Sequence, residues 1–130
     1  MPASCLDIHG IRVYQYPGDG VPQKCGQDAI DLICAAKAQD AVWVVVPMEK
    51  LDESFFQLRS GLAGEFLQKF VTYGIHLAVL GDFSGFVTAS TAFRDLLRES
   101  NRGDSLWFLT NLAEMKARFE ARGQTARHVD

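Results

Sequence analysis

A short apolar run in the middle of the chain constrains the fold more than any other feature. Residues 42–46 read Val-Trp-Val-Val-Val and are followed by Pro47. A strand without polar residues is buried on both faces, which is typical of the interior of a parallel sheet. Parallel neighbours need crossover segments, usually helices, so the run predicts a central strand in an α/β fold.

The sequence around this run alternates between strand and helix patterns. Alternating apolar and polar residues in 6–8 and 11–16, around a His9-Gly10 turn, predict an antiparallel hairpin. Apolar residues at helical spacing predict helices over 27–39, 58–73, 92–101 and from Asn111 onward. The first helix is expected to bury Ile30 and Ile33, and Glu114, three residues after Asn111, predicts a capping box at the start of the last one. The segments 75–80 and 106–109 have the composition of buried strands.

This order predicts one α/β domain over residues 1–122 and a frayed polar tail over 123–130. The sheet is expected to be a single, mainly parallel layer with the N-terminal hairpin as its antiparallel edge. About four helices would accompany it, and the crossovers would be right-handed. Function is then expected in the loops at the carboxyl ends of the parallel strands.

The length and charge of the chain narrow the classes of partner. A chain of 130 residues with 48% apolar composition suits one globular domain whose core needs no metal or disulfide. A net charge of -3 disfavours nucleic acid as a partner. The longest apolar run is strand-sized, whereas a membrane-spanning helix needs about 20 residues, and the N-terminus lacks a secretory pattern. We therefore expect a cytoplasmic protein that binds neither nucleic acid nor membranes.

Histidine and cysteine positions give no sign of a metal site or a catalytic pair. The three histidines fall in a turn, a strand and the tail (His9, His76, His128). The three cysteines are an odd set without Cys-x-x-Cys spacing, which indicates reduced thiols (Cys5, Cys25, Cys34). A P-loop and a dinucleotide-binding glycine motif are absent from the sequence. We expect no metal and no cofactor, and the balance is against an enzyme.

The segment 60–64, Ser-Gly-Leu-Ala-Gly, is the most informative candidate site. It places a hydroxyl at the predicted start of a helix, with two glycines that allow another backbone to approach closely. Free amides at a helix start attract anions, so Ser60 and Gly61 form a candidate phosphorylation or anion site. The alternative is an ordinary N-cap serine that accepts from a backbone amide two or three residues on.

Further candidates lie at the same edge of the predicted sheet. Asp82 follows a strand, where α/β enzymes hold a general base or a metal-binding carboxylate; the alternative is a turn aspartate that accepts local amides. Phe55 is interpreted either as part of an exposed aromatic lip or as a core anchor. The candidate contact surface or pocket comprises Phe55, Leu62, Gly64, Asp82, Ser84 and Phe86.

Four segments, in this order, carry a resemblance to a known family. They are Phe55-Phe56-x-Leu58, the run 60–70, the strand end Gly81-Asp82-Phe83-Ser84 and the run 99–103. Together they resemble the bacterial family known as domain of unknown function 4180 (DUF4180). The resemblance spans nearly the whole chain and implies membership of that family, which brings no activity with it.

Residues 41–119 are also similar to STAS domains of the anti-sigma-factor-antagonist type. Those domains share the predicted order of elements and carry a switch loop, Asp-Ser-Ser-Gly-Leu, at the start of the second helix. The corresponding run here is Leu58-Arg59-Ser60-Gly61-Leu62. Ser60 falls on the serine that is phosphorylated in such antagonists, whereas Leu58 and Arg59 replace the acidic residue and the first serine.

These observations favour a non-catalytic regulatory or protein-interaction domain with a phospho-switch at Ser60. Such a domain acts through a protein partner or by self-association. The alternative is a small-molecule or anion-binding domain, or an enzyme, with a pocket at the carboxyl edge of the sheet. A third hypothesis is a homo-oligomer built through unpaired sheet edges or through the arginine stripe Arg94, Arg98 and Arg102.

Overall fold

The computed structural model describes residues 4–8, 10–16, 26–51, 62–103 and 106–129. For residues 4, 26, 62, 63 and 122–129 it describes the backbone alone. The elements in these ranges are β1 (Ser4–Ile8), β2 (Ile11–Gln15), α1 (Gly26–Ala38), β3 (Trp43–Pro47), a 3₁₀ turn (Met48–Lys50), α2 (Leu62–Tyr73), β4 (His76–Leu80), α3 (Ser84–Ala89), α4 (Thr91–Arg102), β5 (Leu106–Leu109) and α5 (Leu112–Val129).

The described strands form one sheet in the order β1-β2-β3-β4-β5. β1 and β2 are antiparallel, and the pairs β2–β3, β3–β4 and β4–β5 are parallel. The predicted fold class is therefore confirmed, including the hairpin edge and the central position of β3. α5 continues to Val129, and the frayed tail over 123–130 stays a prediction.

The crossover helices all pack on one side of the sheet, which we call the crossover face. α1 links β2 to β3, α2 links β3 to β4, and α3 with α4 links β4 to β5. Buried residues of α1, α2 and α4 share one core with the strand residues Val44, Val46, Leu77, Val79 and Phe108. The strand order advances in one direction over one face, so the three crossovers have a single hand, as expected for β-helix-β units.

α5 packs on the opposite side of the sheet, which we call the α5 face. Met115 and Phe119 are buried there with Trp43 and Trp107. The ring centroids are 4.3 Å apart between Trp43 and Trp107, and 5.5 Å apart between Trp107 and Phe119. The Arg118 guanidinium lies 4.3 Å from the Trp107 ring centroid, a cation–π contact that fixes α5 against β5.

The helix faces differ in detail from the periodicity in the sequence. In α1 the fully buried residues are Ala29, Leu32, Ile33 and Ala36. Ile33 is therefore buried as predicted, whereas Ile30 is only half-buried and Cys34 is exposed. In α2, Phe66 and Phe70 are buried but Val71 is 60% exposed. None of the described helices combines the length and hydropathy that crossing a membrane requires.

The outer edge of β5 is closed by a side chain from α4. The side-chain Nδ2 of Asn101 donates to the Phe108 backbone carbonyl at 3.1 Å, and its Oδ1 accepts from the Phe108 backbone amide at 2.7 Å. Asn101 therefore occupies the two backbone groups of Phe108 with which another strand would pair. The Arg118 guanidinium donates to the Asn101 carbonyl, and the Trp107 indole donates to the Gly103 carbonyl at 2.7 Å.

We expect Asn101→Ala to lower the free energy of unfolding by about 1–3 kcal/mol, because the backbone amide and carbonyl of the buried Phe108 lose their hydrogen-bond partner. Urea denaturation measures this directly. Glu99→Ala is the matched control on the same helix. Its carboxylate pairs with Arg102 at 3.6 Å with both side chains more than half exposed, so the change should stay within about 0.5 kcal/mol. Equal losses in the two variants would contradict the edge-closing role of Asn101.

Candidate functional site

The parallel strands end at one edge of the sheet, which we call the carboxyl edge. Pro47, Leu80 and Leu109 are the last residues of β3, β4 and β5. The segments that follow them, 48–51, 81–84 and 110–111, therefore meet there. α2 begins at the same edge, because a crossover helix starts where the preceding parallel strand has ended.

Met48 and Gly81 close the space between the ends of β3 and β4. A Cβ atom added to Gly81 would overlap with Cγ and Sδ of Met48. The Gly81 amide donates to the Leu109 carbonyl at 2.9 Å, which ties the end of β4 to β5. No local pattern predicts this contact, because Met48 and Gly81 are distant from each other in the sequence.

Asp82 lies on the surface of the carboxyl edge and binds the start of α3. Its carboxylate accepts from the Ser84 amide at 3.0 Å. Hydrogen bonds from the Ser84 side chain and amide lower the pKa of Asp82 below its ordinary value. A general base at neutral pH needs a raised pKa, so this environment fits a turn aspartate rather than a catalytic carboxylate.

The hydrogen bonds of Asp82 also explain why the chain forms a helix where the sequence predicts a turn. A turn is predicted over 81–85, whereas the chain forms the short helix α3 from Ser84 to Ala89. The Asp82 carboxylate accepts a hydrogen bond from a backbone amide at the start of this helix. Phe83, the N-cap residue, has no polar side chain that could accept it. Asp82 and Ser84 are thus brought together, as neighbours in one cap.

Asn111 and Glu114 start α5 in the manner expected from the sequence. The Glu114 amide donates to the Asn111 side chain at 3.0 Å, and the Thr110 amide donates to the Glu114 carboxylate at 2.7 Å. This reciprocal arrangement is a capping box. Asp82, which follows β4, and Asn111, which follows β5, are therefore both engaged in starting helices.

Phe86 fastens α3 to the crossover face. It is half-buried and packs against the core, with its ring centroid 5.8 Å from that of Phe93. Phe83 is buried beside it and meets Phe108 edge-on at 5.2 Å. The candidate contact residue Phe86 therefore has a packing role, and only part of its side chain is available at the surface.

The start of α2 presents an open surface. Gly64 is exposed, and a Cβ atom added there would meet no heavy atom within 4 Å. The close backbone approach predicted for Gly64 therefore has no counterpart among the described residues. Ser60, Gly61 and Phe55 lie outside the described residues, as does the side chain of Leu62.

The described part of the carboxyl edge shows no candidate metal site and no crevice at a change of strand order. It contributes to no group of three or more His, Cys, Asp or Glu side chains that could hold a metal ion, and none exists elsewhere in the described ranges. Open α/β sheets form ligand crevices where neighbouring crossovers leave toward opposite faces. From β2 to β5 the strands follow sequence order and the crossovers share one face, so this stretch of the sheet has no such point.

The arginine stripe lies on the exposed side of α4. Arg94, Arg98 and Arg102 are all exposed, and Asp95 and Glu99 are exposed between them. Arg102 pairs with Glu99 at 3.6 Å. Exposed pairs of this kind add little to stability, so the mixed charges fit a solvated helix face.

Comparison with known proteins gives one match. The model of the family described as domain of unknown function (DUF4180) matches residues 8–119. No curated protein and no solved structure matches the chain. The matched residues include every candidate of the carboxyl edge, from Phe55 to Phe86.

The same substitution should have opposite effects at two glycines of this edge. Gly64→Ala enters open space in a helix and should stabilise the protein by about 0.5–1 kcal/mol. Gly81→Ala overlaps with Met48 and should destabilise it by about 1–3 kcal/mol, and Met48→Ala in the same chain should recover most of that loss. Thermal unfolding of the wild type and these three variants measures both effects. A loss of stability in Gly64→Ala would show that another segment packs on α2.

Acid should remove the stabilisation that the Asp82 carboxylate provides. Its pKa is lowered in the folded protein, so the contribution is present above the unfolded value and lost as the pH falls through the folded one. Asp82→Asn keeps a capping oxygen without the charge. Wild type should unfold at a higher temperature than Asp82→Asn near pH 6, and the two should converge as the pH falls below 3.8. A difference that is constant across this range would contradict the assignment.

Proposed function

The chain belongs to the DUF4180 family, and from that premise we propose that it is a non-catalytic regulatory domain that binds another protein through its carboxyl edge. One observation carries the proposal. The side chains of Asp82 and Asn111, which follow β4 and β5, are engaged in helix starts. The surface beside them is open, since Asp82, Ser84 and Gly64 are exposed. An edge that is capped and open suits contact with a partner surface better than enclosure of a substrate.

The sheet topology supports the same conclusion. In open α/β sheets, small molecules bind preferentially in the crevice that a reversal of strand order creates. β2 to β5 follow sequence order without such a reversal. The alternative of a ligand-binding domain or an enzyme is therefore the weaker candidate. It would be indicated by a pull-down in which no bait retains a protein.

We propose that Ser60 is the switch of this contact, as in the STAS antagonists that the chain resembles. In the sequence it stands two residues before Leu62, the first residue of α2. A phosphoryl group would add about 1.5 to 2 negative charges next to the positive end of the helix dipole. The fold would tolerate that charge, because the free amides of the first turn stabilise it.

A bound partner would not tolerate the same charge. A protein packed over the start of α2 would have to remove water from the dianion, which costs several kcal/mol without a compensating cation. Phosphorylation would therefore release the partner while leaving the domain folded. Cys5 and Cys34 are free thiols, in keeping with a reducing compartment such as the cytoplasm as the place of action.

The test is a pull-down from a lysate of the source organism with four baits. They are the wild type, Ser60→Ala, Ser60→Glu and Thr72→Glu. Thr72 is exposed on α2 and far from its start, so Thr72→Glu adds the same charge to the same helix away from the carboxyl edge. A protein retained by wild type, Ser60→Ala and Thr72→Glu but lost by Ser60→Glu is the expected result.

Two other outcomes would count against the proposal. Retention of the same protein by all four baits would place the contact elsewhere or deny the switch. The absence of a retained protein with any bait would favour the ligand-binding alternative. Equal melting temperatures of wild type and Ser60→Glu are the control that the glutamate has not unfolded the domain.

A further inference from the structure

The two edges of the sheet are treated differently. The outer edge of β5 is closed by Asn101, which bonds to the amide and the carbonyl of Phe108. The opposite edge is β1, residues Ser4–Ile8, which pairs with β2 on its inner side. In the described part of the chain no backbone hydrogen bond reaches the outer side of β1. A strand edge of this kind is a template for pairing with another strand.

The hairpin determines which backbone groups of β1 point outward. Ile8 pairs with Ile11, so the connection has two residues and these two form a hydrogen-bonded pair. Hydrogen-bonded pairs recur at every second residue, so Leu6 and Val13 form the next one. The amide and the carbonyl of Leu6 therefore point inward, toward β2. The amide and carbonyl groups of Cys5 and Asp7 therefore point away from the sheet.

We propose that β1 pairs antiparallel with β1 of a second copy of this chain, about a two-fold axis at Leu6. In an antiparallel pair, residues that face each other lie on the same face of the sheet, so the axis must pass through a residue. An axis at Leu6 places Cys5 opposite Asp7 of the second copy. The outward groups of both residues then meet in four hydrogen bonds, and all five residues of β1 are used.

The side chains select the same register. An axis at Asp7 would set two carboxylates directly opposite each other, which is unfavourable. With the axis at Leu6, each Asp7 instead faces Cys5 of the second copy and has Arg12 of its own β2 on the other side. An axis at Cys5 would extend the pairing past Ser4, the first residue of the strand.

The α5 face explains why a second copy fits better than an unrelated peptide. Leu6 is half-buried and packs against the core of that face, beside the buried residues Ile8 and Val13. Pairing at Leu6 places the two Leu6 side chains together and joins the apolar layers of the two copies. The contact is small, so the dimer belongs to the weak, concentration-dependent class.

The first experiment is sedimentation equilibrium of wild type, Asp7→Pro and Asp7→Ala from about 10 µM to about 1 mM, the range that suits weak association. Proline at position 7 removes an outward amide without breaking a bond to β2, whereas alanine keeps that amide. Wild type and Asp7→Ala should approach twice the monomer mass at high concentration. The dissociation constant of Asp7→Pro should rise by about tenfold or more.

The second experiment tests the register by disulfide crosslinking in chains without other cysteines. One chain carries Leu6→Cys with Cys5, Cys25 and Cys34 replaced by serine, and the other retains Cys5 alone. Facing residues in the Leu6 register have Cα atoms about 4.5 Å apart, within disulfide range. The Cys5 residues of the two copies are offset along the strands beyond that range. Mild oxidation should therefore give a covalent dimer with Leu6→Cys and little with Cys5.

Three outcomes would overturn the proposal. Wild type could stay monomeric to about 1 mM, beyond the range of weak complexes. Asp7→Pro could dimerise as well as Asp7→Ala while its circular dichroism shows the native fold. Cys5 could crosslink as efficiently as Leu6→Cys. None of these results depends on Ser60 or on a partner at the carboxyl edge.

Discussion

Everything in this fold is arranged around β3, the strand that is buried on both faces. It pairs with β2 on one side and β4 on the other, and it contributes to both cores. Val44 and Val46 pack under the crossover helices, whereas Trp43 and Val45 pack under α5. An apolar strand has no solvated face, so the chain must cover it twice. The three crossovers cover one side, and α5 remains for the other.

This division of helices leads to the functional proposal. Since each crossover returns over the same face, the strands from β2 to β5 follow each other in order, and no crevice opens between diverging connections. The segments that follow β4 and β5 at the carboxyl edge are instead fixed by helix caps at Asp82 and Asn111. What remains in the described part is an exposed surface at Gly64, Asp82 and Ser84, the surface that we propose for a protein contact.

The sequence predicts the elements whose formation depends on neighbouring residues. The apolar strand predicted over 42–46 is confirmed as β3 (Trp43–Pro47), and the hairpin and the capping box at Asn111 and Glu114 are confirmed as well. Features that depend on distant residues are missed, because no local pattern encodes them: Asn101 closing β5, and Met48 filling the space over Gly81. α3 is missed although its signal, Asp82 two residues before Ser84, is present in the sequence. Membership of the DUF4180 family is confirmed, whereas the switch at Ser60 stays a prediction.

The most direct test of the account is site-specific photo-crosslinking in living cells, with the photoreactive residue placed at Ser84 or at Val42. Ser84 is exposed at the carboxyl edge, and Val42 is 46% exposed immediately before β3, at the opposite edge. We expect a covalent adduct between the residue at position 84 and a different protein, identifiable by mass spectrometry, and no adduct from position 42. An adduct from Val42 with none from Ser84, or no adduct from either position, would contradict the claim that the carboxyl edge is where this protein acts.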